Sequence, residues 1–295
     1  MPFKCHVILS ICLFLGVEMM LADDIRKDDK TNAFLTKIDY YNKVKKIKFQ
    51  KGVVFEWPNL MKLISSVDSG AWKRSYESIS FEKSGLILWS SAFSKVGAVL
   101  SVDVFVASDE TEKAFKKLIE IASSNSMPRV PYECGDSFLG QLSIKHSNPA
   151  LQRILWAYYN VVIRISVEEE NDNVKTPSID ATLIANKIQK LLENSLVEHL
   201  SEHLPKIDRI DVSPQPVAIK NPVTLNIITS KSTDFENLKL SVLGNYEDYQ
   251  YLGEDKSSVT IAIEKPGEKN IIIGIVDKKT LLSVFPVVTV DVHVN

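Results

Sequence analysis

The sequence predicts an α+β fold, in which an antiparallel sheet carries two helices and is followed by an all-β sandwich. Two observations lead to this prediction. Between residues 51 and 204, an alternating strand pattern passes twice into an amphipathic helix pattern. After Pro205 the apolar period becomes that of short strands, and no helical pattern returns. We therefore expect an α+β domain over 51–204, built from a duplicated ββα unit, and a β-sandwich over 205–295.

The first copy of the ββα unit is predicted between residues 85 and 122. Strands are expected at 85–89 and 96–107, because valines at every other position of the second run alternate with Ser101 and Asp103. The helix that follows has its apolar residues at spacings of one, three and four, which indicates one buried face. These residues are Ala114, Phe115, Leu118, Ile119 and Ala122.

The second copy is predicted between residues 140 and 204. It has a strand at 140–145 and a single longer strand at 154–167. Thr176 before Pro177 is typical of a helix N-cap and first helical residue. The apolar stripe of the helix runs from Ala181 to Leu200, and Pro205 ends it. Two such copies predict an antiparallel sheet with both helices on one face.

The last part of the chain reads as a series of short alternating strands. Turn signals such as Asn221-Pro222 and Lys265-Pro266-Gly267 separate them. About six or seven strands in ~90 residues are typical of an immunoglobulin-like β-sandwich. The cysteine pair of true immunoglobulin domains is absent from this part of the sequence, so the pattern predicts the architecture alone.

Composition places the chain among ordinary globular proteins. The 295 residues are 45% hydrophobic and 24% charged, with a formal net charge of -2 at pH 7. Such a chain has enough apolar material for a core, which excludes a disordered protein. It has no positive excess to offset phosphate charge, so we expect no nucleic-acid partner.

Residues 1–22 have the pattern of a secretory signal peptide. Lys4 supplies the positive start, HVILSICLFLGV is the apolar segment, and the small Ala22 precedes the expected cut. The apolar run is shorter than the ~20 residues of a membrane-spanning helix. We therefore expect an exported protein of the cell envelope, periplasmic or extracellular, with no membrane span after signal removal. Residues 23–50, rich in Asp, Lys and Asn, are expected to form a flexible leader.

Signal removal leaves Cys134 as the one cysteine of the mature chain, because Cys5 and Cys12 lie in the signal. An internal disulfide is then excluded. Cys134 could act as a nucleophile with His146 as its base. It could equally be a lone buried thiol that packs as a small apolar residue. The sequence assigns no third catalytic partner, so the role of Cys134 stays open.

The string His199-Leu200-Ser201-Glu202-His203 fits the inverted zinc-protease pattern H-x-x-E-H. On a helix the two histidines would lie one turn apart and could bind zinc, with Glu202 as the base. The alternative is that they pack the end of the helix against the sandwich, where a partial positive charge suits a helix C-terminus. Pro205 follows at once, whereas a zinc-binding helix should continue. Zinc is therefore an alternative, and we expect no cofactor.

Three tyrosines in the segment NYEDYQYLGED form a candidate partner-binding surface. Tyr246, Tyr249 and Tyr251 stand among acidic residues. Tyrosines on a sandwich loop or edge can stack on sugars or anchor a protein partner. They can also be cross-strand packing pairs. The sequence leaves both interpretations open.

Two stretches resemble known groups. The phrase NVVIRI at 160–165, followed by an acidic loop and the helix residues 185–188, resembles a duplicated strand-strand-helix domain of exported bacterial proteins without assigned activity. Residues 207–295 look like the immunoglobulin-like modules of bacterial surface proteins. The resemblance implies a non-enzymatic role in the envelope and supplies no catalytic motif.

The sequence thus predicts a non-enzymatic exported binding or scaffold protein of the cell envelope. Its partner would be a protein or an envelope polymer, and the oligomeric state is not determined by the sequence. Two alternatives remain: an extracytoplasmic metal-dependent hydrolase that uses His199, Glu202 and His203, and a carbohydrate-binding protein.

Overall fold

The computed structural model describes residues 29–45, 51–67, 72–82, 84–95, 97–109, 111–124, 132–146, 152–169, 180–229, 234–243 and 248–294. The helices are α1 (Asp29–Lys37), α2 (Tyr40–Lys45), α3 (Leu60–Val67), α4 (Thr111–Ser124) and α5 (Ala181–Asn194). The strands are β1 (Gly52–Val53), β2 (Lys73–Phe81), β3 (Ile87–Lys95), β4 (Ala98–Val106), β5 (Tyr132–Cys134), β6 (Leu142–His146), β7 (Gln152–Tyr158), β8 (Val161–Glu169), β9 (Leu196–Val197), β10 (Ile207–Ser213), β11 (Val217–Ala218), β12 (Pro222–Thr229), β13 (Leu238–Leu243), β14 (Tyr249–Asp255), β15 (Ser258–Ile263), β16 (Gly267–Asp277), β17 (Ser283–Val284) and β18 (Val287–His293). The predicted mixed α+β class, with mostly antiparallel sheets, is confirmed. The predicted signal peptide lies outside the described residues.

A seven-stranded antiparallel sheet is the centre of the first domain. Its strand order is β2-β3-β4-β8-β7-β6-β5. The central strands β4 and β8 pair along their whole length, from Ala98 opposite Glu169 to Val106 opposite Val161. Because successive side chains of a strand point to opposite faces, each face of this sheet has its own set of apolar residues.

The single long strand expected over 154–167 is instead a hairpin, β7 and β8, with a turn at Tyr159 and Asn160. Tyr159 has a positive φ of 52°, and Asn160 is fully buried. The Asn160 side chain accepts from the Val53 N–H at 2.6 Å and donates to the Ala107 carbonyl at 3.0 Å. These bonds join the turn to two other segments. The apolar run hides this turn, because the residues that stabilise it are distant in sequence.

The two main helices lie on opposite faces of the sheet, so the prediction of both on one face is wrong. Helix α4 packs with Leu88, Phe105 and Val162, whereas α5 packs with Trp89, Val104 and Ile163. Each residue that contacts α4 is next in sequence to one that contacts α5, as Leu88 is to Trp89, and consecutive side chains of a strand point to opposite faces of the sheet. Three strands, β2 to β4, precede α4, and four strands, β5 to β8, precede α5, instead of the two expected in each half.

The expected flexible leader over 23–50 is helical in its described part. Helices α1 and α2 cover residues 29–45 and bury Phe34, Leu35, Ile38 and Tyr40 in the same apolar cluster as α4. The high content of Asp and Lys concealed this short apolar face. We correct the expectation for 29–45: these residues belong to the α+β domain.

Helix α5 is shorter than predicted at both ends. It begins after Asp180, whose side chain accepts from the Thr182 N–H at 2.8 Å, and ends at Asn194. The predicted cap at Thr176 lies outside the described residues. Beyond the helix, Leu196 and Val197 form β9 and pair with Gly52 and Val53 of β1. This pairing, which periodicity cannot show, stops the helix before His199.

The described residues of the last part of the chain, 207–229, 234–243 and 248–294, form a β-sandwich of two sheets. One sheet has the order β10-β12-β15-β14, and the other has the order β11-β18-β16-β13 with β17 beside β16. Val223, Leu225 and Ile261 of the first sheet and Ile273 and Ile275 of the second meet in one core. Within the described part of the chain, no helix is both long and apolar enough to cross a membrane.

The loop between β16 and β17 of the sandwich packs into the core of the α+β domain. Leu281 and Leu282 of this loop are fully buried in the core of the α+β domain, together with Trp57 and Trp89. Leu281 has a positive φ of 61°. This conformation is disfavoured for a large side chain, at a cost on the order of 1–2 kcal/mol. The burial of both leucines offsets that cost.

Hydrogen bonds fix the same loop in register. The Trp57 N–H and indole N–H donate to the carbonyls of Lys279 and Thr280, at 2.9 and 3.2 Å. The buried hydroxyl of Ser108 accepts from the Ser283 N–H at 2.7 Å. Beside the loop, a Cβ added at Gly274 would lie 2.5 Å from the Phe81 ring, so the strand requires glycine there. The domains therefore form one packed body.

Replacement of Leu282 by Ala should lower the free energy of unfolding by about 2–5 kcal/mol, because a fully buried leucine would leave a cavity. The measurement is urea denaturation of the mature chain followed by tryptophan fluorescence. The four tryptophans, Trp57, Trp72, Trp89 and Trp156, all precede the sandwich in the sequence.

Leu225→Ala tests whether the two domains unfold together, since Leu225 is buried in the sandwich core away from the junction. If the domains unfold as one unit, it should shift the tryptophan transition in the same direction. An unshifted tryptophan transition in Leu225→Ala would contradict joint unfolding. Exposed Leu183→Ala is the neutral control.

Tyr40→Phe should reduce the loss of stability in alkaline solution. Burial, with Glu112 and Tyr41 as further causes, raises the pKa of Tyr40 well above its ordinary value. Its neutral form therefore stabilises the folded state below about pH 10, and that contribution is lost as the pH rises further and the unfolded phenol ionises. Denaturation midpoints between pH 8 and 11 measure the effect. Tyr41→Phe removes only the last of these causes at an exposed neighbour, so it should change the pH dependence far less than Tyr40→Phe does. An equal dependence of the denaturation midpoint on pH in all three proteins would contradict the role of Tyr40.

Candidate functional site

One half of a face of the seven-stranded sheet is polar and partly open to solvent. We define the serine face as the side chains that share this half: Tyr76, Ser78, Ser90, Ala92, Ser94, Val99, Ser101, Asp103, Arg153, Arg164 and Ser166. The strand register aligns them in rows. One row runs Tyr76, Ala92, Ser101, Ser166 and Arg153 across five neighbouring strands. All are half-buried or exposed, and Tyr76 is 55% exposed.

The other half of the same face is apolar and covered. Helix α4, with α1 and α2, packs on Leu88, Phe105 and Val162. Lys117 of α4 stands beside Phe105, with its Nζ 5.1 Å from the ring centroid, and pairs with Glu82 at 3.1 Å and Glu120 at 3.0 Å. Burial opposes the charged form, but the bonds to Glu120 and Glu82 prevail and raise the pKa of Lys117. Lys117 therefore stays charged, and two carboxylates balance its charge beside the apolar residues that the helix covers.

A charged pair lies at the boundary between the two halves. The Arg164 guanidinium donates to the Asp103 carboxylate, with the Nε bond at 2.7 Å, and the Ser90 hydroxyl donates to the same carboxylate at 2.6 Å. Asp103 is thereby satisfied from both neighbouring strands. Its side chain is 13% exposed and that of Arg164 is 31% exposed. The pair holds the arginine in one orientation, so it presents fixed donors to a partner.

The serines of the serine face lie at the spacings of a regular sheet, ~4.8 Å between strands and ~7 Å along them. Serine hydroxyls both donate and accept hydrogen bonds. On the central strands β3, β4 and β8 the serines stand beside the Asp103–Arg164 pair, and Tyr76 and Arg153 lie at the margins. Such a surface can contact an extended partner through many hydrogen bonds.

The H-x-x-E-H residues are not on an α-helix. His199 precedes a short 3-10 helix over Leu200–His203, and its backbone is extended. His199, Glu202 and His203 are all exposed. The helical premise of the zinc prediction is therefore wrong, as is the expectation that the histidines pack a helix end against the sandwich. Over the residues that the structure describes, no group of three or more His, Cys, Asp or Glu side chains is placed to hold a metal ion.

The three tyrosines have different surroundings. Tyr246 lies outside the described residues. Tyr249 is buried, and its hydroxyl donates to the Val242 carbonyl at 3.2 Å, so it packs within the sandwich. Tyr251 is 44% exposed. Burial and a hydrogen bond to Glu254 raise the pKa of Tyr251. Of the two described tyrosines, Tyr251 alone is available to a partner.

Cys134 is exposed on the short edge strand β5, so the interpretation as a buried thiol is wrong. Its Sγ lies 3.7 Å from the Lys37 carbonyl. His146 is opposite Tyr132 in the register, and their rings meet edge to face, whereas Cys134 is opposite Ile144. The thiol and the imidazole are thus diagonal neighbours on one face of the sheet. Diagonal neighbours of this kind have their α-carbons ~7–8 Å apart.

The sequence contained a signal for the serine face that we used for another purpose. Ser101 and Asp103 alternate with valines in β4, which predicted the strand. The same alternation shows that one side of this strand is polar. Only the pairing of β4 with β3 and β8 places these residues beside Ser90, Ser94 and Ser166.

Comparison with known proteins identifies no family. No protein-family model matches the sequence, and no curated protein matches it. Among solved structures, one similar chain is the di-domain ARO/CYC StfQ from the steffimycin biosynthetic pathway, at 10% sequence identity. The match covers 79% of this chain and 74% of that chain with a TM-score of 0.14. A likeness at this TM-score carries no argument about fold or function.

Proposed function

We propose that this protein is a non-enzymatic exported binding or scaffold protein of the cell envelope, and that the serine face is its contact surface. The observation that carries the proposal is the register that aligns hydroxyl and charged side chains across five strands. Five of the eleven residues are serines, and the others include the paired Asp103 and Arg164 and the exposed Tyr76.

The sheet beneath the serine face is rigid, which favours binding by surface complementarity. Its opposite side is buried against α5, α3 and the inserted leucines of the sandwich loop. A partner therefore meets hydroxyls that are already held in position, so little side-chain entropy is lost on binding. The partner is a protein or an envelope polymer.

The exposed ring of Tyr76 beside the hydroxyls supports a second candidate, an envelope polysaccharide as the ligand. Sugar rings stack on aromatic faces while their hydroxyls bond to neighbouring polar groups. Under this candidate function, the sugar-binding site lies in the α+β domain, and not at the tyrosines of 246–251 where the sequence predicted it.

We also propose two finer descriptions of the fold. The sandwich is immunoglobulin-like, which is supported by its strand order: β10, β12, β15 and β14 correspond to strands A, B, E and D, and β18, β16 and β13 to G, F and C. The α+β domain is a duplication in which each unit is a run of antiparallel strands, β2 to β4 or β5 to β8, followed by a helix. The support is that β4 and β8, the last strand of each unit, pair at the centre of the sheet.

The double variant Ser101→Arg with Ser166→Arg should abolish capture of the envelope partner. The two serines are opposite each other on neighbouring strands, so two arginines would fill the floor of the serine face and repel each other. The experiment immobilises mature protein, applies an extract of the native envelope, and stains the eluate for both protein and carbohydrate.

The matched control replaces Ser201 and Thr289, which are exposed elsewhere, by Arg. It should capture as wild type does. Circular dichroism must show that both variants are folded. Equal capture by the serine-face variant and the control would remove the serine face from the proposal.

Export is tested by the amino terminus of the protein purified from its native envelope. Cleavage after Ala22 predicts that Edman sequencing starts at Asp23. Replacement of Ala22 by the bulky Tyr should block cleavage and leave a larger product. Sequencing that starts at Met1, with the protein in the cytosolic fraction, would contradict export.

A further inference from the structure

Strand β14 (Tyr249–Asp255) is an edge of the sandwich. It pairs with β15 on one side, and in the described part of the chain no strand pairs with its other side. An edge strand presents backbone N–H and C=O groups that another strand can pair with. Native proteins usually block such edges with charges, prolines or bulges.

The opposite edge of the same sheet shows this protection. Strand β10 has the sequence IDRIDVS, in which Asp208, Arg209 and Asp211 are exposed, and Pro214 and Pro216 follow it. Strand β14 also has a bulge, between Tyr251 and Gly253, and its two acids follow that bulge; its first three residues, Tyr249–Tyr251, keep a regular register with β15 and carry no charge. Because both edges belong to one sheet, their different charge results from the side chains of β10 and β14 and not from the type of sheet.

Two adjacent large apolar side chains are exposed on β14. Tyr251 is 44% and Leu252 45% exposed. A register irregularity between Tyr251 and Gly253 makes both available, because the extra residue interrupts the alternation. The strand is held at its start by the Tyr249 hydroxyl, which donates to the Val242 carbonyl of β13. The exposed pair therefore belongs to an anchored strand.

Acidic side chains outnumber basic ones around this edge: Lys256 follows the strand and pairs with Glu236, and Lys265 and Lys269 pair with Asp248. The segment from Asn245 to Asp255 contains Glu247, Asp248, Glu254 and Asp255 and has no Lys or Arg. Glu254 and Asp255 are exposed at the end of β14, next to the apolar pair. A partner strand that carries cationic side chains would meet opposite charge there.

We infer that the edge of β14 receives an extended segment of a partner protein, which pairs with the strand through its backbone and carries Lys or Arg beside apolar residues. This is strand addition, in which main-chain bonds supply affinity and side chains supply selectivity. The surface is separate from the serine face and belongs to the other domain.

The test uses NMR spectra of the full mature chain with a synthetic peptide of alternating lysine and valine as the probe. We expect its largest amide shifts at 249–255 and none at β10. Three comparison peptides complete the set. A glutamate–valine peptide tests charge, and two lysine–valine peptides are methylated at the backbone nitrogens of one edge or of the other. Methylation on the pairing edge should abolish binding while the charge stays unchanged.

Charge reversal of Glu254 and Asp255 to Lys should weaken binding of the lysine–valine peptide roughly tenfold, since two exposed ion pairs with the peptide would be replaced by like-charge contacts. The matched control reverses Asp208 and Asp211 on β10 and should bind as wild type does. Leu252→Ala is a milder variant that should also weaken binding if the charge reversal disturbs the fold.

Three results would overturn the inference: equal shifts at β10, equal binding of the glutamate–valine peptide, or full binding of both methylated peptides. Ser101→Arg with Ser166→Arg separates this inference from the proposed function. It should leave peptide binding unchanged, so either proposal can fail without the other.

Discussion

The insertion of Leu281 and Leu282 into the α+β core is the contact on which the arrangement of the molecule depends. Each leucine is fully buried, although it comes from a loop of the other domain. The disfavoured backbone of Leu281 costs on the order of 1–2 kcal/mol, whereas burial contributes roughly 1.5–3 kcal/mol for each of the two leucines, so the conformation persists. Without this loop, Trp57 and Trp89 would line an open apolar socket.

Buried polar groups give the same junction its specificity. Apolar packing alone tolerates small shifts, whereas a buried hydrogen bond is lost when its partner moves. The pairing of Ser108 with Ser283 and the bonds from Trp57 to the sandwich loop therefore define one relative position. Asn160 has the same role within the α+β domain, where it ties a hairpin turn to Val53 and Ala107.

A consequence of the rigid junction is that the two proposed contact surfaces belong to a single body. The serine face lies on the side of the sheet away from the inserted leucines, and the β14 edge lies in the sheet of the sandwich that does not contain the inserted loop. Neither surface is used to join the domains. A scaffold protein requires this separation, because internal packing and external binding would otherwise compete for the same side chains.

The sequence alone determined those elements whose hydrophobic pattern depends only on residues close together in the chain. The alternation in β4, the apolar face of α4 and the change of period after Pro205 each depend on residues within one element, so the α+β class and the strand-rich last part could be predicted. Tertiary structure decided the rest. The turn at Asn160, the end of α5 at Asn194 and the face that each helix covers depend on partners far away in sequence. The serine face is of the same kind: its serines are visible one by one, but a surface exists only when strand pairing brings β3, β4 and β8 side by side.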